Sequence, residues 1–365
     1  MHEAHVHCVP MASPSDTSEV VRLLDEGHVS AADVVAIMAQ TEGDGYARGF
    51  AAQSLELVFA ERLKMEREEV RQRIPMLMIG GTAGIMCPHV TVFSKRPSTA
   101  APSAQKRLAL GVRSSRVLQP EEYGTMAQVR LVAETVRQAL VDAGIEDPRD
   151  VHCVEVKCPA MTPARVQDAQ RRGKAVVSTN PAAASSMAKG ASALGVALAL
   201  GEVDAARLSD GAICRDWDLH SRVASTSAGG EQVACRVVVI GNSTRATGAL
   251  VAGHGVMQDQ LDVEGAYEAF RSAGLAVRDG RLADDDRKRI AAIFVNAGAD
   301  FAPGVRGRRH TMHSDFLWSY SGWQAKAVAH AVVSAIVGDT LVLASAGAEH
   351  QGPPGANLVC VIARA

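Results

Sequence analysis

The sequence is poor in aromatic residues and has no excess of basic ones. Phe, Trp and Tyr make up 4% of its 365 residues, and 38 Lys and Arg stand against 40 Asp and Glu, a net charge of −2. Proteins that bind nucleic acid need a basic excess or a basic stripe for the phosphates, and base stacking needs aromatic side chains. The composition therefore predicts no nucleic-acid partner.

Long apolar runs are also missing. The N-terminus reads MHEAHVHCVP, without a basic segment followed by an apolar one, so we expect no secretory signal. No uncharged apolar run reaches the roughly 18 residues that a membrane-spanning helix needs. We therefore expect no membrane partner.

The seven cysteines are scattered and include no C-x-x-C pair. An odd number without close spacing is not typical of a disulfide framework or of a zinc site. We interpret them as reduced thiols and predict a cytoplasmic protein.

The composition is otherwise that of an ordinary globular protein. Apolar residues make up 47% and charged residues 21%, and 365 residues are enough for two or three domains. Disordered and fibrous architectures are thereby excluded.

Three distant segments repeat one order of elements, which is the dominant pattern of the chain. Each has an apolar strand, a helical stretch, a second strand, a small-residue helix opened by a basic residue, and a strand that runs into a Gly-rich turn and returns. The second strands end at Gln40, Lys157 and Asn296, the helices open at Arg48, Lys189 and Lys326, and the turns begin at Ile79, Ser227 and Ser345.

This repetition predicts an α+β fold of three similar domains, each with about four strands and two helices, arranged around a pseudo-threefold axis. We place the domains at residues 1–103, 107–248 and 250–365. The segments between them are rich in Ser, Pro and Ala or in Gly, Ser and Thr.

Around such an axis, equivalent residues would converge on one site. Backbone N–H groups of Gly-rich turns beside a serine suit an oxyanion hole, and fixed cations suit a small ligand with several carbonyl oxygens. The predicted substrate-binding residues are Arg48, Ile79, Gly80, Lys189, Ser227, Ala228, Lys326, Ser345 and Ala346.

Over essentially its whole length, the sequence resembles the cyanuric acid hydrolase and barbiturase family of ring-opening amidohydrolases. The specific pieces are TEGDG (41–45), VKCPAMTPA (156–164), KGASALG (189–195), RGRRHTM (306–312) and SAGAEHQGPPG (345–355). The resemblance implies three similar domains around one central site, Ser-Lys dyads facing a flat cyclic imide, and a homotetramer.

The sequence departs from that family pattern in two of its three repeats. The family has a Lys and a Ser in each, whereas here the pairs are Gln40 with Ile79, Lys157 with Ser227, and Asn296 with Ser345. Lys189 and Lys326 also stand where the family carries Arg. A family glutamate that holds a structural metal falls at Gly298, so we expect no metal and no other cofactor.

The surviving pair is chemically coherent. A serine hydroxyl is a weak nucleophile that needs a neighbouring base, and lysine acts as a base only when neutral. Burial and the charges of Arg48, Lys189 and Lys326 would lower the pKa of Lys157. We therefore predict Ser227 as nucleophile and Lys157 as base in the opening of a small cyclic amide.

Alternatives remain open at this stage. Loss of two dyads suits a catalytically decayed binding or sensor protein on the same scaffold. Ser186 and Lys189 match the S-x-x-K of penicillin-recognising enzymes, but no K-T-G follows near the C-terminus. The histidines His310, His313 and His350 lack the carboxylate spacing of a metal site.

The unequal repeats also bear on the substrate. Cyanuric acid is threefold symmetric, whereas Ile79 replaces a hydroxyl with an apolar branch in one repeat. A polar ring atom facing Ile79 would have no partner, at a cost of about 1–3 kcal/mol if buried. We expect an unsymmetrical, barbiturate-like ring to be favoured.

Overall fold

The architecture is α+β, with three main sheets flanked by helices. It is seen in a computed structural model that describes residues 1–42, 46–80, 83–101, 104–298, 304–311 and 321–365.

The first sheet comes almost entirely from residues 2–97. Its strands are β1 (His2–Pro10), β2 (Val34–Gln40), β3 (Met76–Ile79) and β4 (His89–Pro97), and the accompanying helices are α1 (Ser18–Asp25), α2 (Tyr46–Leu63) and α3 (Arg67–Arg73). The strand order is β3-β2-β4-β1, with β2 parallel to β3 and antiparallel to β4.

The second sheet repeats this order with residues 107–243. Its elements are β5 (Arg107–Val117), α4 (Met126–Ala143), β6 (Val151–Pro159), α5 (Pro163–Arg171), α6 (Pro181–Leu200), β7 (Ala224–Gly229) and β8 (Ala234–Ser243). The order is β5-β8-β6-β7. A short β9 (Ala246–Thr247) then pairs in parallel with β1 and so joins the edge of the first sheet.

The third sheet is built by residues 250–364. Its segment holds β10 (Leu250–Met257), α7 (Val263–Ser272), β11 (Val277–Arg278), β12 (Arg281–Leu282), α8 (Asp284–Arg287), β13 (Ile290–Ala297), β14 (Gly304–Val305), β15 (Arg308–Arg309), α9 (Ser321–Val337), β16 (Leu343–Ala346) and β17 (Asn357–Arg364). The order β10-β17-β13-β16 matches the other two sheets, and β11/β12 and β14/β15 form separate two-stranded pairs.

Each segment carries a third, short helix beyond the two that the sequence predicts. These helices, α3, α5 and α8, have seven, nine and four residues. A helix of that length shows too few periods for its apolar spacing to be recognised in sequence. The prediction of about two helices per segment was therefore too low.

The sheets lie inside and the helices outside. One apolar cluster draws its residues from all three sheets, including Met38, Leu77, Cys153, Phe294 and Leu358. Three further clusters fill the space between each sheet and its own helices. The central cluster thus holds the three sheets against one another, which brings the ends of their parallel strands together.

The basic residues of two of the small-residue helices do not lie at helix starts, contrary to the sequence prediction. Asn180 caps α6 by accepting from the N–H groups of Ala182 and Ala183, and Pro181 is its first residue. Lys189 is therefore two turns inside the helix, and Lys326 is the sixth residue of α9. Only Arg48, third in α2, sits in a first turn.

Helix α6 is the one described helix that is long and apolar enough to cross a membrane by length and composition. In this fold 61% of that window is buried within the protein, where it packs on α4 and β7. Its apolar character is thus that of a core helix.

Candidate active site

A cavity of about 590 Å³ lies where the three sheets meet. It is lined by every residue that the sequence analysis selected: Arg48, Ile79, Gly80, Lys157, Lys189, Ser227, Ala228, Lys326, Ser345 and Ala346. The volume falls in the range of small-molecule sites, about 300–1,000 Å³. Residues far apart in sequence are therefore brought to one place.

Strand register sets the three predicted pairs opposite each other. In the parallel strands β6 and β7, Lys157 stands opposite Ser227. The equivalent parallel strands place Gln40 opposite Ile79 and Asn296 opposite Ser345. Neighbours on parallel strands project to the same face of the sheet. Lys157 and Ser227 both line the cavity, whereas the other two pairs line it through Ile79 and Ser345 alone.

Lys157 is almost fully buried, with 1% of its surface exposed. Its Nζ donates to the carbonyl oxygen of Met78 at 3.1 Å and lies 4.0 Å from a carboxylate oxygen of Glu231. Burial is the largest cause lowering the pKa of Lys157, and the charge of Arg48 adds to it, whereas Glu231 opposes both. The environment thus favours the neutral amine that a base requires.

The contact with Met78 leaves that amine able to act on Ser227. A neutral amine has two N–H groups and one lone pair, and the carbonyl of Met78 occupies one N–H. Ser227 is partly exposed at the cavity wall, on the neighbouring strand. The lone pair of the amine is then available to accept the proton of Ser227, and contacts between catalytic groups commonly tighten when a substrate is bound.

Lys189 forms an ion pair inside the cavity. Its Nζ lies 2.8 Å from Oε1 of Glu349, which is 2% exposed. Ser186, one turn before Lys189 on α6, donates its hydroxyl to the same oxygen at 2.5 Å. Ser186 and Lys189, the two residues of the S-x-x-K match, thus both bind Glu349. Their spacing on α6 is explained by this structural contact.

Lys326 is also held in place, with 2% of its surface exposed. Its Nζ donates to the carbonyl oxygen of Gly80 at 2.7 Å, linking α9 to the turn after β3. The three predicted cations, Arg48, Lys189 and Lys326, thus reach the cavity from α2, α6 and α9.

Sequence reasoning did not identify several cavity residues. Glu349 and Trp323 line the wall, as do Ala182, Ser185, Ser186 and Gly322. A glutamate in a Gly-rich turn is usually solvated, so neither the residue type nor the spacing of Glu349 indicated that it would be buried in the cavity wall. Its burial follows from the tertiary contact with Lys189, which no local pattern records.

In the two pairs that lack a lysine, the side-chain amides of Gln40 and Asn296 form hydrogen bonds to the backbone. Gln40 donates to the carbonyl of Ile79 at 3.3 Å and accepts from the N–H of Ala344 at 3.0 Å. Asn296 donates to the carbonyl of Gly347 at 3.0 Å, while its Oδ1 is buried without a partner. Neither amide can serve as a base for a serine.

Gly298 does not fit the metal-holding role that the family resemblance assigns to its position. A Cβ at Gly298 would press against the carbonyl oxygen of Ala356, with those of Gln351 and Gly347 at 3.4 and 3.5 Å. The N–H of Gly298 instead donates to Ala356 and to the side chain of Asn357. Across the described ranges, no group of three or more His, Cys, Asp and Glu is placed to hold a metal ion.

The third histidine considered in the sequence, His350, is engaged in packing. It accepts from the N–H of Cys214 at 2.7 Å, its Nδ1 contacts the carbonyl of Leu219, and its ring stacks on Trp217. His313 lies outside the described residues. All seven cysteines are free thiols.

The chain is similar to known proteins over its whole length. The family described as amidohydrolase ring-opening protein matches residues 5–364. A cyclic amide hydrolase of Azorhizobium caulinodans is 44% identical over 364 residues, covering 99% of both chains. A cyanuric acid amidohydrolase of Pseudomonas sp. (strain ADP) is 42% identical, covering 100% of both.

Solved structures are similar to the same extent. A cyanuric acid hydrolase described as an innovation by structural concatenation superposes with a TM-score of 0.94 at 42% identity, covering 100% of each chain. A cyanuric acid hydrolase from A. caulinodans gives a TM-score of 0.88 at 38% identity, covering 100% of this chain and 99% of the other.

Proposed function

The chain belongs to the family of ring-opening amidohydrolases, and from this we propose that it hydrolyses an endocyclic C–N amide bond of a small cyclic imide or ureide. Relatives at 44% and 42% identity are named cyclic amide hydrolase and cyanuric acid amidohydrolase. The observation that carries the proposal is the pairing of Lys157 with Ser227 on adjacent parallel strands in the wall of the cavity.

The first half of the reaction transfers the acyl group to the enzyme. Ser227 Oγ attacks a ring carbonyl carbon while the neutral amine of Lys157 takes the hydroxyl proton. The tetrahedral intermediate then breaks its ring C–N bond, and Lys157 returns the proton to the departing nitrogen. Because that nitrogen is still tethered through the ring, the whole opened substrate stays attached to Ser227 as an ester.

The second half releases the product. Lys157, neutral again, accepts a proton from water, whose oxygen attacks the ester carbon. The ester C–O bond breaks, Ser227 regains its proton, and the ring-opened product leaves with a new carboxyl group. No atom other than those of water and substrate is consumed.

The remaining cavity residues stabilise charge and orient the ring. Backbone N–H groups near the end of β7, where Ser227 and Ala228 lie, act on the carbonyl oxygen as it becomes an oxyanion. Arg48, Lys189 and Lys326 bind the other ring oxygens. The side chain of Lys189 is oriented for this by its ion pair with Glu349. Ser345 supplies a hydroxyl without a base, because its partner is Asn296.

The substrate that suits this site is an unsymmetrical ring with an apolar edge, such as barbituric acid or a substituted imide. Ile79, 4% exposed, forms one wall of the cavity where an equivalent serine stands in the third repeat. A carbonyl or N–H of cyanuric acid would face this side chain unpaired, whereas a methylene group would not.

Turnover of a panel of rings tests the proposal. Purified protein is incubated with barbituric acid, cyanuric acid and substituted cyclic imides, and the ring-opened products are measured. We expect Ser227→Ala and Lys157→Ala to lose turnover by orders of magnitude, whereas Ser345→Ala, which removes a hydroxyl that has no base beside it, should lower turnover far less. Near wild-type turnover in Ser227→Ala or Lys157→Ala would contradict the mechanism.

A second candidate function is ligand binding without turnover, in a decayed sensor. It is favoured by the two pairs that lack a base, Gln40 with Ile79 and Asn296 with Ser345. Calorimetry with the same panel separates the two candidates, since tight binding without any ring-opened product would support the sensor.

We also infer how the three segments are arranged and assembled. Their common strand order and shared cavity support a pseudo-threefold axis through the site. The family resemblance supports a homotetramer, and the seven free thiols support a cytoplasmic location. Light scattering that gives a 38.4 kDa monomer at working concentration would contradict the tetramer.

A further inference from the structure

Glu155 is a carboxyl group buried directly beneath the proposed dyad, and the reaction steps above do not use it. It lies on β6 two residues before Lys157 and is 3% exposed. Successive side chains of a strand point to opposite faces, so Glu155 shares the inward face of β6 with Lys157 and Cys153. Its oxygen Oε1 lies 3.7 Å from Sγ of Cys153.

The layer around Glu155 is apolar in the other two repeats. The residues two positions before Gln40 and Asn296 are Met38 and Phe294, both in the central apolar cluster. Glu155 instead stands opposite a polar residue, Ser225, on β7. A buried polar layer is therefore found under the one repeat that carries a complete Lys-Ser pair, and is absent from the equivalent positions of the other two.

Burying a carboxyl group in such a core is costly unless something compensates for it. Among the described residues no ion pair within 4.0 Å involves Glu155. The charged group that acts on it is Lys157, on its own strand. Its neighbours on the adjacent strands are Ser225 on β7 and Val238 on β8. The other titratable group that acts on it is Cys153, whose thiol in turn contacts Cys360 on β17.

From this geometry we propose that Glu155 is a positioning residue that sets the pH at which Lys157 becomes a base. When Glu155 is a neutral carboxylic acid, Lys157 has no fixed counter-charge beneath it and can be a neutral amine. When Glu155 is a carboxylate, it holds Lys157 as an ammonium ion. The inference rests on the proposed role of Lys157 as base in ring opening.

The ionisation of the two groups is consistent with this coupling. Burial raises the pKa of Glu155 to about 7, and the charge of Lys157 acts in the opposite direction. Reciprocally, burial lowers the pKa of Lys157 and the carboxylate of Glu155 raises it. Glu155 therefore titrates close to neutrality, where its charge can change the state of Lys157.

The test is the pH dependence of kcat/KM in wild type, Glu155→Gln and Glu155→Met. Both variants remove the ionisable group, and Met is the residue that fills the equivalent place in the first repeat, so it keeps the fold if Gln does not. We expect the acid limb of both profiles to move to lower pH by up to about 1 unit, because both substitutions remove a carboxylate that raises the pKa of Lys157. Circular dichroism and thermal melting check that each variant is folded.

The outcomes separate this inference from the proposed function. If wild type opens no ring, the proposed function fails. If wild type turns over and needs Lys157 and Ser227, but the acid limb is unmoved in both variants, Glu155 does not set the state of Lys157. A lower kcat/KM at every pH, with the acid limb at its wild-type position, would likewise overturn the inference. That result would indicate that Glu155 has a structural role alone.

Discussion

Gln40 accepts a hydrogen bond from the backbone N–H of Ala344 at 3.0 Å, and this bond joins the first sheet to the third. Ala344 is the residue before Ser345. Lys157 makes the corresponding contact from the second sheet to the first, donating to Met78, the residue before Ile79. At the third junction Gln351 accepts from the N–H of Thr226, the residue before Ser227. Each of these three junctions thus contains a polar side chain that is hydrogen-bonded to the backbone of a neighbouring sheet.

The junction at Gln40 predicts a loss of stability in Gln40→Ala. The change leaves the buried N–H of Ala344 without an acceptor, which costs about 1–3 kcal/mol in the free energy of unfolding. Chemical denaturation measures it, with Gln53→Ala on the exposed side of α2 as the matched control. Equal stability of the two variants would show that this bond contributes nothing.

Two substitutions should move the pH profile in opposite directions. Lys157 accepts a proton only when neutral, so kcat/KM falls as pH falls through its pKa. Arg48 lowers that pKa and Glu231 raises it, so we expect Arg48→Gln to move the acid limb to higher pH and Glu231→Gln to lower pH, each by up to about 1 unit. The readout is the midpoint of the limb, since Arg48→Gln also weakens substrate binding. Shifts in the same direction would mean that the limb does not report Lys157.

Any side chain at position 298 should destabilise the fold by steric overlap with the backbone. A Cβ there would press on the carbonyl of Ala356, and overpacking of this kind typically costs about 1–3 kcal/mol. Gly298→Ala should therefore lower the melting temperature. Gly49→Ala is the control, because nothing lies within 4 Å of the added Cβ and alanine in helix α2 should stabilise by about 0.5–1 kcal/mol. Equal melting temperatures would show that the backbone at Gly298 accommodates the added methyl group without cost.

Ile79 predicts the order of substrates. We expect barbituric acid to have a higher kcat/KM than cyanuric acid in the native protein. In Ile79→Ser the ratio should shift toward cyanuric acid by about 5- to 150-fold, the value of one restored hydrogen bond to a buried group. A clear preference for cyanuric acid that Ile79→Ser leaves unchanged would contradict this account of the cavity wall.

The sequence allowed the pairs at the site to be predicted because they depend on local repetition. The matching lead-ins to Gln40, Lys157 and Asn296 place each residue at a strand end, and a parallel neighbour then sets its partner. The predicted position of Lys189 was wrong because Asn180 and the alanines after it begin α6 two turns earlier than the basic residue suggests. The predicted position of Lys326 was wrong because α9 begins at Ser321, five residues before it.

Other features depended on tertiary contacts. Glu349 is buried by Lys189, which is distant in sequence, and the polarity of Glu155 becomes informative only when Met38 and Phe294 are seen in the same layer. The strand Ala246–Thr247 was missed because two residues that extend the edge of another sheet carry no periodicity of their own.

The nucleophile itself is the most direct test of the account. Because the leaving nitrogen stays tethered, acylation should add the mass of one intact substrate to the protein, which intact-protein mass spectrometry of a rapidly quenched reaction detects. We predict that this adduct maps to Ser227, is lost in Ser227→Ala and persists in Ser345→Ala. An adduct at Ser345, or sustained ring opening by Ser227→Ala, would contradict the assignment of Ser227 and Lys157 as the catalytic pair.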